Sequence, residues 1–481
     1  MNNSWSAGIK FRTLVNYIPL NLTIFIFIFC LLLFFFPQWK PTHQAYGLYF
    51  GNNFVIDSGN VSSSTFEGQI TSIQKGDVYV VWVNENRIHF CASTGNGTKF
   101  STPIDLSNNT SQSSSPQIAA TEKGSVYVVW VDKSNVTGDS NVIFRSSNDN
   151  GENFNNSVLL SRNPNQTSMS SSPQIAATEK GSVYVVWVDK SNVTGDSNVI
   201  FRSSNDNGEN FNNSVLLSRN PNQTSMSSSP QIAATEKGSV YVVWVDGKKT
   251  TGDSNIEFIG SNDTGKGFSD RITLRAGNPL SYSPQITATE KGEVYVVWVD
   301  KNKKTGDSDI IFRSSNDSGR DFDDRKKLRS NPLLSSSPQI TATEEGDVYV
   351  VWADKNSTIG DSDITFRTSN DSGRAFEKAI NLNKGEKKLY NDSSPQIVTT
   401  AKDTVNVVWV NNHVEFKEIL VQDALVGKTV VLSNNTALSS SPQLTATEKG
   451  DAYVIWVDKN STSNASLQMK RISEYFFDRN S

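Results

Sequence analysis

Residues 113–189 recur without a change as residues 170–246, an offset of 57, and this self-similarity restricts the chain to folds that stack one unit many times. Looser copies continue on both sides. A tryptophan marks each one, at Trp82, Trp130, Trp187, Trp244, Trp298, Trp352, Trp409 and Trp456, spaced 47 to 57 residues apart. At 481 residues the chain is also too long for one ordinary hydrophobic core, which a repeat architecture resolves.

The second unit shows what one copy encodes. Its first segment, Gln117 to Thr121, is introduced by Ser115 and Pro116, because a proline at a strand's start loses no ladder hydrogen bond. The turn Glu122-Lys123-Gly124 follows. The second segment, Val126 to Val131, is apolar on both pleat faces, with Tyr127, Val129 and Val131 on one side and Val126, Val128 and Trp130 on the other, so it must be covered twice. Asn141 to Ser147 forms the third segment and about Phe154 to Leu160 the fourth, each bounded by turn residues. Four antiparallel strands in 50 to 57 residues match one blade of a β-propeller, where each sheet packs between two neighbours. The small first-strand residues, Ala119-Ala120-Thr121 in this unit and Thr445-Ala446-Thr447 in the last, fit blades converging on an axis.

The expected fold is therefore all-β: an eight-bladed propeller of four-stranded antiparallel blades, with seven blades as the alternative if one divergent unit is not a true blade. The last unit lacks a fourth strand, whereas the piece Phe54 to Asp57 precedes the first complete unit. The expectation is that this N-terminal strand completes the last blade and removes an exposed sheet edge.

Composition narrows the function classes. Forty-five Lys and Arg against 49 Asp and Glu leave a net charge of −4 with the basic residues scattered, so no footprint for nucleic acid is visible. Of two cysteines, Cys30 lies inside an apolar run, so Cys91 has no partner for a disulfide framework. His43, His89 and His413 are far apart and show no zinc-binding spacing. No cofactor is expected, with one candidate weighed: the Gly-Asp loops at Gly138-Asp139, Gly195-Asp196, Gly252-Asp253, Gly306-Asp307 and Gly360-Asp361 carry oxygen ligands suited to Ca²⁺, against the plainer reading of Asp/Gly turns.

Between the third and fourth strands stands Ser-x-Asp-x-Gly-x-x-Phe. It reads Ser147, Asp149, Gly151, Phe154; Ser204, Asp206, Gly208, Phe211; Ser261, Asp263, Gly265, Phe268; Ser315, Asp317, Gly319, Phe322; and Ser369, Asp371, Gly373, Phe376. This resembles the Asp-box of the sialidase, or bacterial neuraminidase repeat, superfamily of β-propellers, with Phe where Trp is frequent. The resemblance covers essentially everything after residue 50; unit one has Gly95 in place of the Asp, and units seven and eight lack the box. It implies a structural role for these residues, on the face opposite the family's active site. It also implies what an enzyme of this kind would need: three arginines for a substrate carboxylate, a Tyr nucleophile with a Glu, and an Asp acid/base. The Phe/Tyr-Arg-Ile-Pro motif that normally carries the first arginine does not occur here.

Tyr79, Tyr127, Tyr184, Tyr241, Tyr295, Tyr349 and Tyr453 share one second-strand position and read as core, while Tyr282 and Tyr390 stand outside the repeat. Arg145, Arg202, Arg313 and Arg367 recur before the box and suggest a structural pairing. Arg162, Arg219, Arg275 and Arg329 follow the fourth strand and are the ligand-face candidates, forming either a solvated rim or a contact for an anionic glycan. The repeated glutamines, Gln69 through Gln443, either ring the channel mouth or, the favoured reading, bond to the adjacent blade's backbone.

Ahead of the repeats, Lys10 and Arg12 precede an apolar stretch from Ile18 to Phe36, nineteen residues that nearly match a hydrocarbon thickness of about 30 Å. The favoured organisation is a cytoplasmic segment 1–17, a transmembrane signal-anchor helix 18–36, a linker 37–49 and the propeller 50–481 outside the cytoplasm. A cleaved signal peptide, giving a secreted protein, is the alternative. Identical units present identical surfaces, which disfavours an asymmetric catalytic centre. The expected function is non-catalytic binding of glycan or protein on a membrane-anchored surface propeller; a sialidase-like glycoside hydrolase and a structural envelope component are the alternatives.

Overall fold

The computed structural model describes residues 46–57, 67–107, 111–161, 168–191, 194–218, 225–248, 251–276, 280–329, 334–355, 362–385, 393–400, 404–420, 425–433, 438–459 and 465–476. Among these, every regular element is a β-strand. The apolar stretch Ile18 to Phe36 and the candidates Arg162 and Arg219 lie outside the described residues. No helix among the described residues is long and apolar enough to cross a membrane.

Each marker tryptophan sits on the second strand of an antiparallel sheet. In the second unit the strands are Ser111–Ala120, Val126–Ser134, Ser140–Ser147 and Val158–Leu159, paired in that order. The third unit repeats the same pairings with Ser168–Ala177, Val183–Ser191, Ser197–Ser204 and Val215–Leu216. The double-faced second strand is the reason for the next level of order. Tyr127, Val129, Val142, Phe144 and Leu160 of the second unit pack against Val183, Val185 and Trp187 of the third, so one face of each sheet is buried by the next sheet. The same composition recurs between the last and first units, where Tyr453, Ile455, Leu467 and Met469 meet Val78, Val80 and Trp82. Sheets that bury both faces against sequence neighbours, last against first, make a β-propeller.

Strand Phe54–Asp57 lies antiparallel to Ala465–Phe476, with Phe54 opposite Met469 and Val55 opposite Gln468. Ile56 is buried at the junction between the last and first sheets.

Two boundaries differ from the sequence expectation. The first strand begins well before Pro116, at Ser111, and a bulge between Ser114 and Gln117 accommodates the proline inside it. Ser115 takes a φ of 53° there, so the missing N–H falls where the ladder is already interrupted. The fourth strand is two residues, Val158–Leu159, and Phe154 is not part of it. The guanidinium of Arg145 holds the carbonyls of Phe154 and Asn155 at 3.0 and 2.7 Å, and the Phe154 ring packs on Phe90 of the preceding unit instead of continuing the strand.

Candidate functional site

The two ends of the propeller do different work. At one end lie the first-to-second-strand turns and the Ser-x-Asp-x-Gly-x-x-Phe turns, joined by a bond from the Asn150 N–H to the Gly124 carbonyl at 2.9 Å. In the second unit Asp149 accepts the Ser147 hydroxyl at 2.6 Å and the Asn153 N–H at 2.9 Å, while Ser147 accepts the Gly151 N–H at 3.0 Å. In the third, the Ser204 hydroxyl and the Asn210 N–H hold the Asp206 carboxyl below the usual carboxylate range. The Asp is therefore consumed by its own turn. Gly151 has a φ of 82°, and a Cβ there would stand 2.5 Å from the ring of Phe90 in the preceding unit. Phe154 meets the same ring edge-on at 4.9 Å between centroids. Each turn thus caps the sheet before it, and the other four copies place Gly and Phe on Phe144, Phe201, Phe258 and Phe312 in the same way.

Arg145 completes this cap. Besides the two turn carbonyls it reaches the Leu106 carbonyl of the preceding unit at 3.2 Å. Arg202, Arg313 and Arg367 make the corresponding bonds to Leu160, Leu274 and Leu328. The second-strand tyrosines are buried at this end. Burial pushes the phenols of Tyr127 and Tyr184 up, and Tyr127 donates to Asn207 of the next unit at 3.2 Å.

The opposite end carries the second-to-third-strand loops and the connections between units. Here the four ligand-face arginines do not form one set. Buried leucines, Leu160, Leu217, Leu274 and Leu328, fix the register of the fourth strand. Arg275 and Arg329 follow their leucines directly, in the place of Ser161 and Ser218, whereas Arg162 and Arg219 come one residue later. Arg275 pairs with Asp300 of the next unit at 2.6 Å. Arg329 is only 8 % exposed; it donates to Ser335 of the next unit at 2.8 Å and lies 3.4 Å from Asp354. A solvated rim is thus corrected for Arg329, because burial between two sheets leaves it acting as a clamp.

On the axis, Gln69, Gln117, Gln174, Gln231, Gln396 and Gln443 line a cavity of about 470 Å³ together with the Ser-Pro pairs that precede most of them. Six of the eight repeated glutamines therefore stand at the channel, while Gln285 and Gln339 are not part of this lining. Ser115, Ser172, Ser229, Ser394 and Ser441 all line it with positive φ, near 50°. Residues before proline are ordinarily driven to extended backbone, so strain is concentrated around this cavity. Glu67, which no sequence pattern singled out, also lines it and accepts the Ser115 N–H.

Among the described residues no group of three His, Cys, Asp or Glu side chains is placed to hold a metal ion. Of the Gly-Asp loops, Asp253 is engaged by Lys303 and the Gly360-Asp361 loop lies outside the described residues.

No protein-family model matches the chain, and no curated protein matches its sequence. Solved structures do. An ulvan lyase from the polysaccharide lyase family PL25, bound to -[GlcA(1-4)Rha3S]-, superposes with a TM-score of 0.52 at 11 % identity, covering 86 % of this chain and 94 % of that one. A second structure from that family gives 0.50 at 12 % identity, covering 88 % and 94 %. An α-L-arabinanase of Penicillium chrysogenum complexed with arabinobiose gives 0.41 at 15 % identity, covering 65 % and 94 %. At such identities the first two likenesses establish a shared fold and nothing further.

Proposed function

We propose that this chain is an eight-bladed Asp-box β-propeller related to the sialidase superfamily, closed by Phe54–Asp57, and that it binds glycan without turning it over. The apolar stretch Ile18 to Phe36 anchors it, with the propeller outside the membrane. The observation that carries this reading is the axial cavity. Its lining of glutamine amides and serine hydroxyls offers the paired donors and acceptors that sugar hydroxyls exchange for water. A volume of about 470 Å³ also suits one or two sugar rings. Further support comes from the shared fold with a lyase bound to a saccharide. The identical second and third units add repeated contacts, which favour multivalent binding over an asymmetric reaction centre.

The test is a glycan-binding measurement on the full-length chain in neutral detergent, run beside a fluorogenic sialoside assay. Saturable binding that weakens in Gln117→Ala/Gln174→Ala, with no turnover, is the expected result. Turnover abolished by changing Tyr282 or Arg275 would overturn the non-catalytic reading.

A further inference from the structure

A second cavity, of about 570 Å³, opens on the loop end between the fourth and fifth units, where Arg275, Lys301, Lys303 and Lys304 face Asp300 and Asp309. Four cations against two carboxylates give this lining an excess of positive charge in a chain whose net charge is −4. The internal pairs decide which charges remain available. Arg275 is neutralised by Asp300, Lys303 by Asp253, and Asp309 by Lys327 at 2.7 Å. Lys301 and Lys304 have no ion-pair partner among the described residues.

Lys301 holds a repeat position, that of Lys133, whereas Lys303, Lys304 and Arg275 are local additions to it. Where the second unit reads Lys133-Ser134-Asn135-Val136-Thr137, the fifth reads Lys301-Asn302-Lys303-Lys304-Thr305, and Arg275 stands where Ser161 stands. The strands around both loops pair in the same register, Lys133 with Ser140 and Lys301 with Ser308. The fold is therefore satisfied without the added charges. Beside the two free ammonium groups the cavity holds acceptors, Asp309 and Asn302, and an apolar edge at Ile311. An anion alone would use only the lysines; a sugar bearing an acid group would use all three kinds of surface.

We propose that this cavity binds an acidic saccharide, a sugar carrying a carboxylate or a sulfate, with Lys301 and Lys304 facing its anionic group. The inference rests on the reading of the chain as a glycan-binding propeller and adds to its axial cavity an off-axis site of different chemistry. Because these contacts are solvent-accessible, they weaken as salt rises.

The experiment measures binding of three probes to the full-length chain in neutral detergent: a hyaluronan hexasaccharide, a short dextran sulfate and uncharged dextran. At least one acidic probe should bind more tightly than dextran, and which one separates carboxylate from sulfate recognition. Lys301→Ala/Lys304→Ala should lose about tenfold of that affinity, the loss of two modest charge contacts, with an unchanged melting temperature. Acidic probes that bind no better than dextran, or a double variant that binds them equally well, would overturn the assignment. Dextran binding alone would leave the axial reading standing, and acidic binding without dextran binding would leave only this site.

Discussion

Asp57 accepts the indole N–H of Trp82 at 2.9 Å and the Asn84 side-chain amide at the same distance. In the second, fifth and eighth units the corresponding indole bonds instead to an aspartate two residues on in its own strand, as Trp130 does to Asp132 at 2.7 Å. The first unit has Asn84 in that place, and the missing carboxylate arrives from the strand paired with the last sheet. The last and first units are thus tied by a polar bond as well as by packing. Asp57→Ala leaves a fully buried indole N–H unsatisfied, at a cost of about 1–3 kcal/mol. Adding Asn84→Asp should recover much of that loss in urea unfolding, by restoring the arrangement the second, fifth and eighth units use.

Arg202 spans three carbonyls, those of Asn212, Phe211 and Leu160, at 2.7, 3.1 and 3.1 Å. Arg202→Met should cost about 1.5–3 kcal/mol, the range for hydrogen bonds to a charged group. Arg202→Lys should recover only part of it, since an ammonium cannot fork across three acceptors. Equilibrium unfolding of both variants checks the order.

Gly208 has a φ of 80°, and an added Cβ would stand 2.5 Å from the Phe144 ring, whereas Gly138 has a φ of 76° with open space around it. Gly208→Ala therefore combines backbone strain with overpacking, and a loss of about 2–4 kcal/mol is expected. Gly138→Ala should cost about 1 kcal/mol, from strain alone. Equal losses at the two sites would show that the turns do not press on the preceding sheet.

The turn aspartates set an acid limit. Asp206, Asp263 and Asp371 are held below their ordinary pKa by serine hydroxyls and backbone N–H groups. A carboxyl lowered in the folded state contributes stability that is complete above its unfolded pKa, about 3.9, and is lost as pH falls through the folded value. The melting temperature should thus fall below about pH 4. Asp206→Asn should melt lower than the parent at pH 6, with the gap narrowing as the pH drops below 4.

The all-β repeat was legible because Trp130 and its equivalents sit on strands apolar on both faces, a pattern only double burial explains. The recurring spacing of Asp149, Gly151 and Phe154 likewise marked a local turn. Strand limits were less legible: Phe154 packs on Phe90 of the preceding unit instead of continuing the fourth strand, a tertiary contact no local propensity encodes. The ligand-face arginines share a residue type but not a position: counted from the buried Leu160 and Leu274, Arg275 stands opposite Ser161 and Arg162 one residue later. The cationic cavity was missed for a related reason. Lys303 and Lys304 look like ordinary loop residues until the fold sets them beside Arg275 from another unit.

The ring itself is tested by the melting temperature of the full-length chain lacking Phe54–Asp57. Removing this strand leaves Ala465–Phe476 unpaired on that edge at residues 467–469, uncovers the core around Ile56 and deprives Trp82 of its acceptor. A closed ring predicts a fall of about 3 °C or more, with a less cooperative transition. A deletion variant that melts with the parent would contradict closure by this strand, and with it the architecture that brings the axial glutamines together.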